Sequence, residues 1–94
     1  MAINVKFLGG LRHISGAGEL ALNIKGAISI KELMNEIVRE MPALKQSLIH
    51  QQLEDLRSNA LILVNGREIS VLNGFETKLK DGDTIVLVPV VHGG

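Results

Sequence analysis

Ninety-four residues carry ten basic and ten acidic side chains, a formal charge of zero. One domain is expected, with no basic excess to neutralise a phosphate backbone, so direct nucleic-acid binding is not expected. The chain has no cysteine, tryptophan or tyrosine, which excludes disulfides, thiolate metal sites and a cysteine nucleophile within it.

Along the chain, Ile3, Val5 and Phe7 alternate with Asn4 and Lys6, the period of a half-buried strand. Gly9 and Gly10 break the pattern. Leu20, Leu22 and Ile24 then alternate with polar or small residues, predicting a second strand joined to the first as a hairpin with a long loop. At Ser29 the period changes. Glu32 stands three residues later, a capping-box signature, and Ile30, Leu33, Met34, Ile37, Val38 and Met41 follow at helical spacing. Pro42 predicts a stop at Met41, because the residue before proline avoids the helical region.

Residues 43–59 are less legible, with Leu44, Leu48, Ile49, Leu53 and Leu56 spaced for a second, interrupted amphipathic helix. Ala60 to Val64 is a dense apolar run ending at Asn65-Gly66, a two-residue hairpin turn. A return strand is predicted over 67–71, turns at Asn73-Gly74 and at 80–83, and a last, nearly all-apolar strand over 84–90. The order is α+β: two strands, one main helix, then three strands. A central place for the last strand suggests parallel pairing with the first, although the element order also admits a ferredoxin-like arrangement.

The longest apolar runs, 60–64 and 85–91, fall far short of the roughly 18–20 residues of a spanning helix. The first residues lack a basic region followed by an apolar run, so no signal peptide and a cytoplasmic location are expected.

Motifs with a chemical meaning are few. Gly16, Gly18 and Ala21 fit G-x-G-x-x-A, but a predicted strand follows where a dinucleotide site needs a helix. Asp81-Gly82-Asp83 lacks the longer loop and distal Glu of a calcium-binding hand. His13, His50 and His92 share no ligand spacing, so no metal site is expected, and no serine is selected as a nucleophile. Autonomous catalysis is not expected.

Two features remain. The sequence ends in Gly93-Gly94, a slender thread that can enter a channel closed to branched side chains. Its carboxylate can be activated as an acyl-adenylate and attacked by a nucleophile. By strand parity, Leu8, Leu61, Leu63, Val86 and Val88 face away from the helix, an exposed apolar patch of the kind that marks a partner site. The competing expectation is that residues 43–59 fold over that face.

Several runs together resemble the ubiquitin-like sulfur carriers, above all the small-subunit (MoaD-type) branch of the MoaD/ThiS family. They are Phe7 with the following Leu11-Arg12-His13-Ile14-Ser15-Gly16, the helix start Ser29-Ile30-Lys31-Glu32-Leu33, Val64-Asn65-Gly66, Leu79-Lys80-Asp81-Gly82-Asp83-Thr84-Ile85, and the end from Pro89 to Gly94. Val90 stands where that family often has a second proline, and His92 where a small residue is frequent.

The resemblance implies a β-grasp fold, a mixed sheet of four to five strands on one main helix. The domain would span 1–91, with 92–94 a flexible tail. It implies that an E1-like activating enzyme uses ATP and magnesium to adenylate Gly94, with no cofactor bound by this chain itself, and that a sulfur donor then forms a thiocarboxylate. The tail would enter the large subunit of a molybdopterin synthase and deliver sulfur to a pterin precursor, Gly93 supplying slenderness. Leu8, Arg12, Leu61, Leu63, Val86 and Val88 are the docking candidates. The alternative is an archaeal-type small modifier joined to target-protein lysines or supplying sulfur for tRNA thiolation. A third reading is a non-catalytic interaction module with an incidental Gly-Gly.

Overall fold

The computed structural model describes residues 1–48 and 60–90. In it β1 (Ala2–Phe7) pairs antiparallel with β2 (Glu19–Asn23) on one side and parallel with β7 (Thr84–Pro89) on the other. β4 (Ala60–Val64) runs antiparallel to β7 and carries the short β5 (Arg67–Glu68) at the outer edge. The five-stranded order is β2-β1-β7-β4-β5. A second ladder joins β3 (Ile28–Ser29) to β6 (Lys78–Leu79). The sheet is mixed, with the first and last strands parallel at its centre as expected.

Helix α2 (Ile30–Glu40) forms where the period changes. Ser29 Oγ accepts from the Glu32 backbone N–H, and the Glu32 carboxylate accepts from the Ser29 N–H, so the capping box is complete. Ile30, Leu33, Met34 and Ile37 are buried. They meet Ile3, Val5 and Phe7 of β1, Ile62 of β4, and Ile85 and Leu87 of β7 in one core. The helix ends at Glu40, one residue before the Met41–Pro42 junction. The burial of α2 against the sheet, rather than helix propensity alone, holds an element of this length.

The plain loop, the strand ends and the return strand need correction. The connection between β1 and β2 is not simply a loop: it contains α1 (Gly10–Ser15), which buries Leu11 and ends at a left-handed Gly16. The last strand stops at Pro89, so Val90 lies outside the ladders; the second strand ends at Asn23, although Ile24 and Met1 still exchange two hydrogen bonds of 2.7 Å. The predicted return strand over 67–71 lasts two residues and then tightens into a 3₁₀ turn, Ile69–Val71, which buries Ile69 and exposes Val71. The turn predicted at Asn73-Gly74 is present and takes the form of a 3₁₀ turn, Gly74–Glu76.

The poorly legible segment begins with a 3₁₀ turn, Pro42–Leu44, and continues as α3 (Lys45–Leu48). Leu44 and Leu48 are buried in the same core as α2, so this part packs on the helical layer. The remainder of the expected second helix, 49–59, lies outside the described residues.

Candidate functional site

The root of the chain's end is held from both sides. β7 is the central strand, in register with β4 as far as Ala60↔Pro89 and with β1 as far as Phe7↔Leu87. The Leu8 N–H then donates to the Leu87 carbonyl at 3.1 Å, extending the contact one residue. Gly9 follows with φ +55°, and its bare α-carbon lies against the Pro89 ring. Gly93, Gly94 and the tail expected over 92–94 lie outside the described residues, as does residue 91.

The expected apolar face is assembled from three segments: the residue after β1, β4 and β7. Leu61 stands opposite Val88, and Leu63 opposite Val86. Leu8 is 45% exposed and Leu61 38%, while Leu63, Val86 and Val88 are half-buried. Among the described residues no second layer covers them. One row across the sheet reads Glu19, Lys6, Val86, Leu63, Glu68. The patch is therefore apolar toward the root of the tail, and its Val86–Leu63 row is flanked by charge at both ends.

Lys6, Glu19 and Glu68 were not singled out from the sequence. The alternation that put Leu8 on this face also puts Lys6 there, so Lys6 was within reach. Glu19 and Glu68 enter only through the pairing register.

Arg12 stands apart from that row. It lies on α1, exposed, with its guanidinium end over Gly18, where an added Cβ would come within 3.3 Å of Arg12 Nε. Gly9, Arg12, His13, Gly16, Ala17 and Gly18 line a cleft of about 420 Å³ beside the root of the tail. His13 is exposed on the same helix, while His50 and His92 lie outside the described residues. Ser15 is occupied locally, its hydroxyl donating to the Ala17 carbonyl at 2.6 Å. Gly16 and Gly18 thus end a helix and make room for an arginine, which accounts for the dinucleotide-like spacing.

The Asp-Gly-Asp run has a structural task. Asp81 Oδ1 accepts from the Ala2 N–H at 2.6 Å. Asp83 accepts from Asn65 Nδ2 at 2.9 Å and from the Lys80 N–H at 2.7 Å. Asn65 Oδ1 in turn accepts from the Thr84 N–H at 2.9 Å. These bonds tie the start of β1, the β4–β5 turn and the start of β7 together at the end of the sheet away from the tail. Asn65 has φ +50° and Gly66 φ +87°, the left-handed pair that a tight hairpin requires.

Among the described residues no three His, Asp or Glu side chains converge as metal ligands, and no helix is long and apolar enough to cross a membrane.

Against known proteins, the ThiS family model matches residues 5–94. Ubiquitin-related modifier 1 of Schizosaccharomyces pombe is 31% identical over 99 residues, covering all of both chains. The solution structure of small archaeal modifier protein 1 from Methanosarcina acetivorans superposes with a TM-score of 0.84 at 33% identity, covering 99% of this chain and 96% of that one. A chain in the complex of subunits 1 and 2 of molybdopterin-converting factor from Helicobacter pylori 26695 gives 0.60 at 28% identity, covering all of both. With its β-grasp sheet and helix, the chain belongs to the ThiS family of ubiquitin-like sulfur carriers and modifiers.

Proposed function

We propose that this protein works through its last carboxylate: Gly94 is adenylated by an E1-like activating enzyme and then converted to a thiocarboxylate. The observation that carries this reading is the placing of the tail's root. Pro89 is held in register at the end of the central strand, beside Leu61, Val88 and Leu8. A partner that docks on this apolar face meets a chain leaving from a fixed point, with Gly93-Gly94 five residues or fewer beyond it. Fixing the root lowers the entropy lost when the end is positioned for attack.

The chemistry belongs to the terminus and to the activating enzyme, which supplies the ATP and magnesium site. The Gly94 carboxylate attacks the α-phosphorus of ATP and pyrophosphate leaves. A sulfur nucleophile then adds to the acyl carbon and AMP leaves. Glycine at that position leaves the approach to the carbonyl unobstructed. Leu8, Leu61, Leu63, Val86 and Val88 form the docking face, and Arg12 offers a cation beside the tail's root. The setting is cytoplasmic, where the activating enzyme finds its ATP.

For the recipient, the modifier reading has the firmer support. The fission yeast and Methanosarcina relatives exceed 30% identity over nearly their whole length. Target-protein lysines, or a tRNA awaiting sulfur, would receive the activated end. The second reading, delivery of sulfur to a pterin precursor inside a molybdopterin synthase large subunit, draws on the likeness to the H. pylori complex.

Intact-mass measurement after incubation with the cognate activating enzyme, MgATP and a sulfur source tests the shared step. The expected result is exchange of one oxygen for sulfur on the C-terminal peptide. Its absence with a demonstrably active enzyme overturns the proposal. Trypsin cleaves after Lys80, so conjugation would leave the peptide beginning at Asp81 attached to acceptor lysines. Co-purification with a large synthase subunit, without such conjugates, would select the pterin.

A further inference from the structure

At the end of the sheet away from the tail, a second cleft of about 440 Å³ is lined by Val64, Asn65, Arg67, Leu72, Thr77, Lys78, Lys80 and Asp83. Its cations come from separate segments: Arg67 from β5, Lys78 from β6, and Lys80 from the turn before β7. All three are exposed. Among the described residues the recorded ion pair is Arg39–Glu36, on α2, so none of the three is neutralised by a carboxylate.

The nearby acids accept hydrogen bonds from uncharged groups and keep their charge, Asp83 within the lining and Asp81 and Glu68 outside it. Each oxygen of Asp83 accepts one hydrogen bond, one from Asn65 Nδ2 and the other from the Lys80 N–H. Asp81 accepts from Ala2, and Glu68 from the Ser70 N–H. The lining thus holds three cations and one acid, a local excess of two positive charges in a chain whose total is zero. Mutual repulsion makes that concentration unfavourable unless an anion relieves it.

We propose that this cleft binds a phosphate dianion, free or as a monoester. A phosphate monoester carries close to two negative charges near neutral pH, which matches the excess. Its three equivalent oxygens can accept from a guanidinium and two ammonium groups that approach from different sides. Val64 and Leu72 are the apolar residues of the lining, with Leu72 half-buried, against which the organic part of a monoester can rest. The site is independent of the tail and lies at the opposite end of β7, so it can be filled while a partner occupies the apolar face.

Amide chemical shifts of the full chain, followed during titration with sodium phosphate, AMP and sodium acetate at constant ionic strength, test the proposal. Saturable shifts confined to residues 64–68 and 77–83 with phosphate or AMP, and none with acetate, are expected. A stronger response to AMP assigns a monoester resting on Val64 and Leu72, and an equal response assigns free phosphate. Lys78→Gln with Lys80→Gln should weaken the response roughly tenfold or more, Lys78→Arg with Lys80→Arg should retain it, and Lys45→Gln on α3 should leave it unchanged. All of these residues are exposed, so an unchanged melting temperature is expected throughout. No saturable shift by tens of millimolar phosphate, an equal response to acetate, or an unchanged response in the double glutamine variant overturns the proposal.

Discussion

Gly9 and Pro89 are in close contact: a Cβ on Gly9 would lie 3.0 Å from Pro89 Cγ, so the ring would have to give by a few tenths of an ångström. The contact joins the end of the first strand to the end of the last, where the tail begins. Gly9 also has φ +55°, which residues with a Cβ adopt at a cost. Gly9→Ala should therefore destabilise the fold by about 1–3 kcal/mol, from backbone strain and displacement of the ring. Urea unfolding checks this, and an unchanged midpoint would show that the two strand ends yield freely.

The capping box makes a second, local prediction. Ser29 is buried, and its hydroxyl both donates to Glu32 Oε1 at 3.0 Å and accepts from the Glu32 N–H at 3.3 Å. Ser29→Ala leaves those groups unmatched and should cost about 0.5–2 kcal/mol. In a domain of this size that lowers the melting temperature by about 4–8 °C per kcal/mol. Ser29→Asp, which keeps an acceptor at the cap but sets a charge beside Glu32, should fall between the two.

Adjacent residues of β7 should behave oppositely. Leu87 is fully buried, and Leu87→Ala should cost about 2–5 kcal/mol through the cavity it leaves. Val88 points to the other face, and Val88→Asp should cost about 1 kcal/mol, the span of strand propensities. The same Val88→Asp change should nevertheless weaken association with the activating enzyme. Calorimetry beside a pull-down separates the effects; a collapsed Val88→Asp fold would place that side chain in the core.

The far end of the sheet offers a coupling test. Asn65 and Asp83 are bonded side chain to side chain at 2.9 Å across eighteen residues of sequence. Asp83→Ala should cost about 0.5–1.5 kcal/mol, because the Asn65 amide and the Lys80 N–H exchange their acceptor for water at an exposed site. A double-mutant cycle with Asn65→Ala should return a coupling of about 0.5–3 kcal/mol. Strict additivity would mean that the bond contributes nothing to stability.

Removal of Gly94 alone should abolish thiocarboxylate formation while leaving the melting temperature unchanged, since the core closes with residues upstream of Pro89. Retained acyl transfer by the shortened chain would rule out Gly94 as the reacting residue.

Much of this could be read along the chain, wherever a few neighbouring residues settle the matter. The Ser29–Glu32 cap, the α2 stripe and the Asn65-Gly66 turn each depend on contacts within about one turn of backbone. The outward set Leu8, Leu61, Leu63, Val86 and Val88 followed from strand parity, because successive side chains must point to opposite faces. Helix α1 was hidden because it is short and bounded by glycines, with only Leu11 buried. The return strand after Arg67 looked longer than it is, since Ile69 reaches the core from a 3₁₀ turn as well as it would from a strand.

By itself the sequence determined the alternation, the cap, the turns, the charge balance and the glycine pair at its end, all properties of residue identity and short spacing. Tertiary structure alone decided which strands became neighbours and in what register. It made Asp81 a partner of Ala2, seventy-nine residues away, and set Lys6 among Glu19, Val86 and, through Leu63, Glu68. It also gathered Arg67, Lys78 and Lys80 around one cleft. Such long-range pairings arise when the apolar faces of β1, β4, β7 and α2 close on one core, and the polar groups at the sheet's ends take whichever partners that closure brings near.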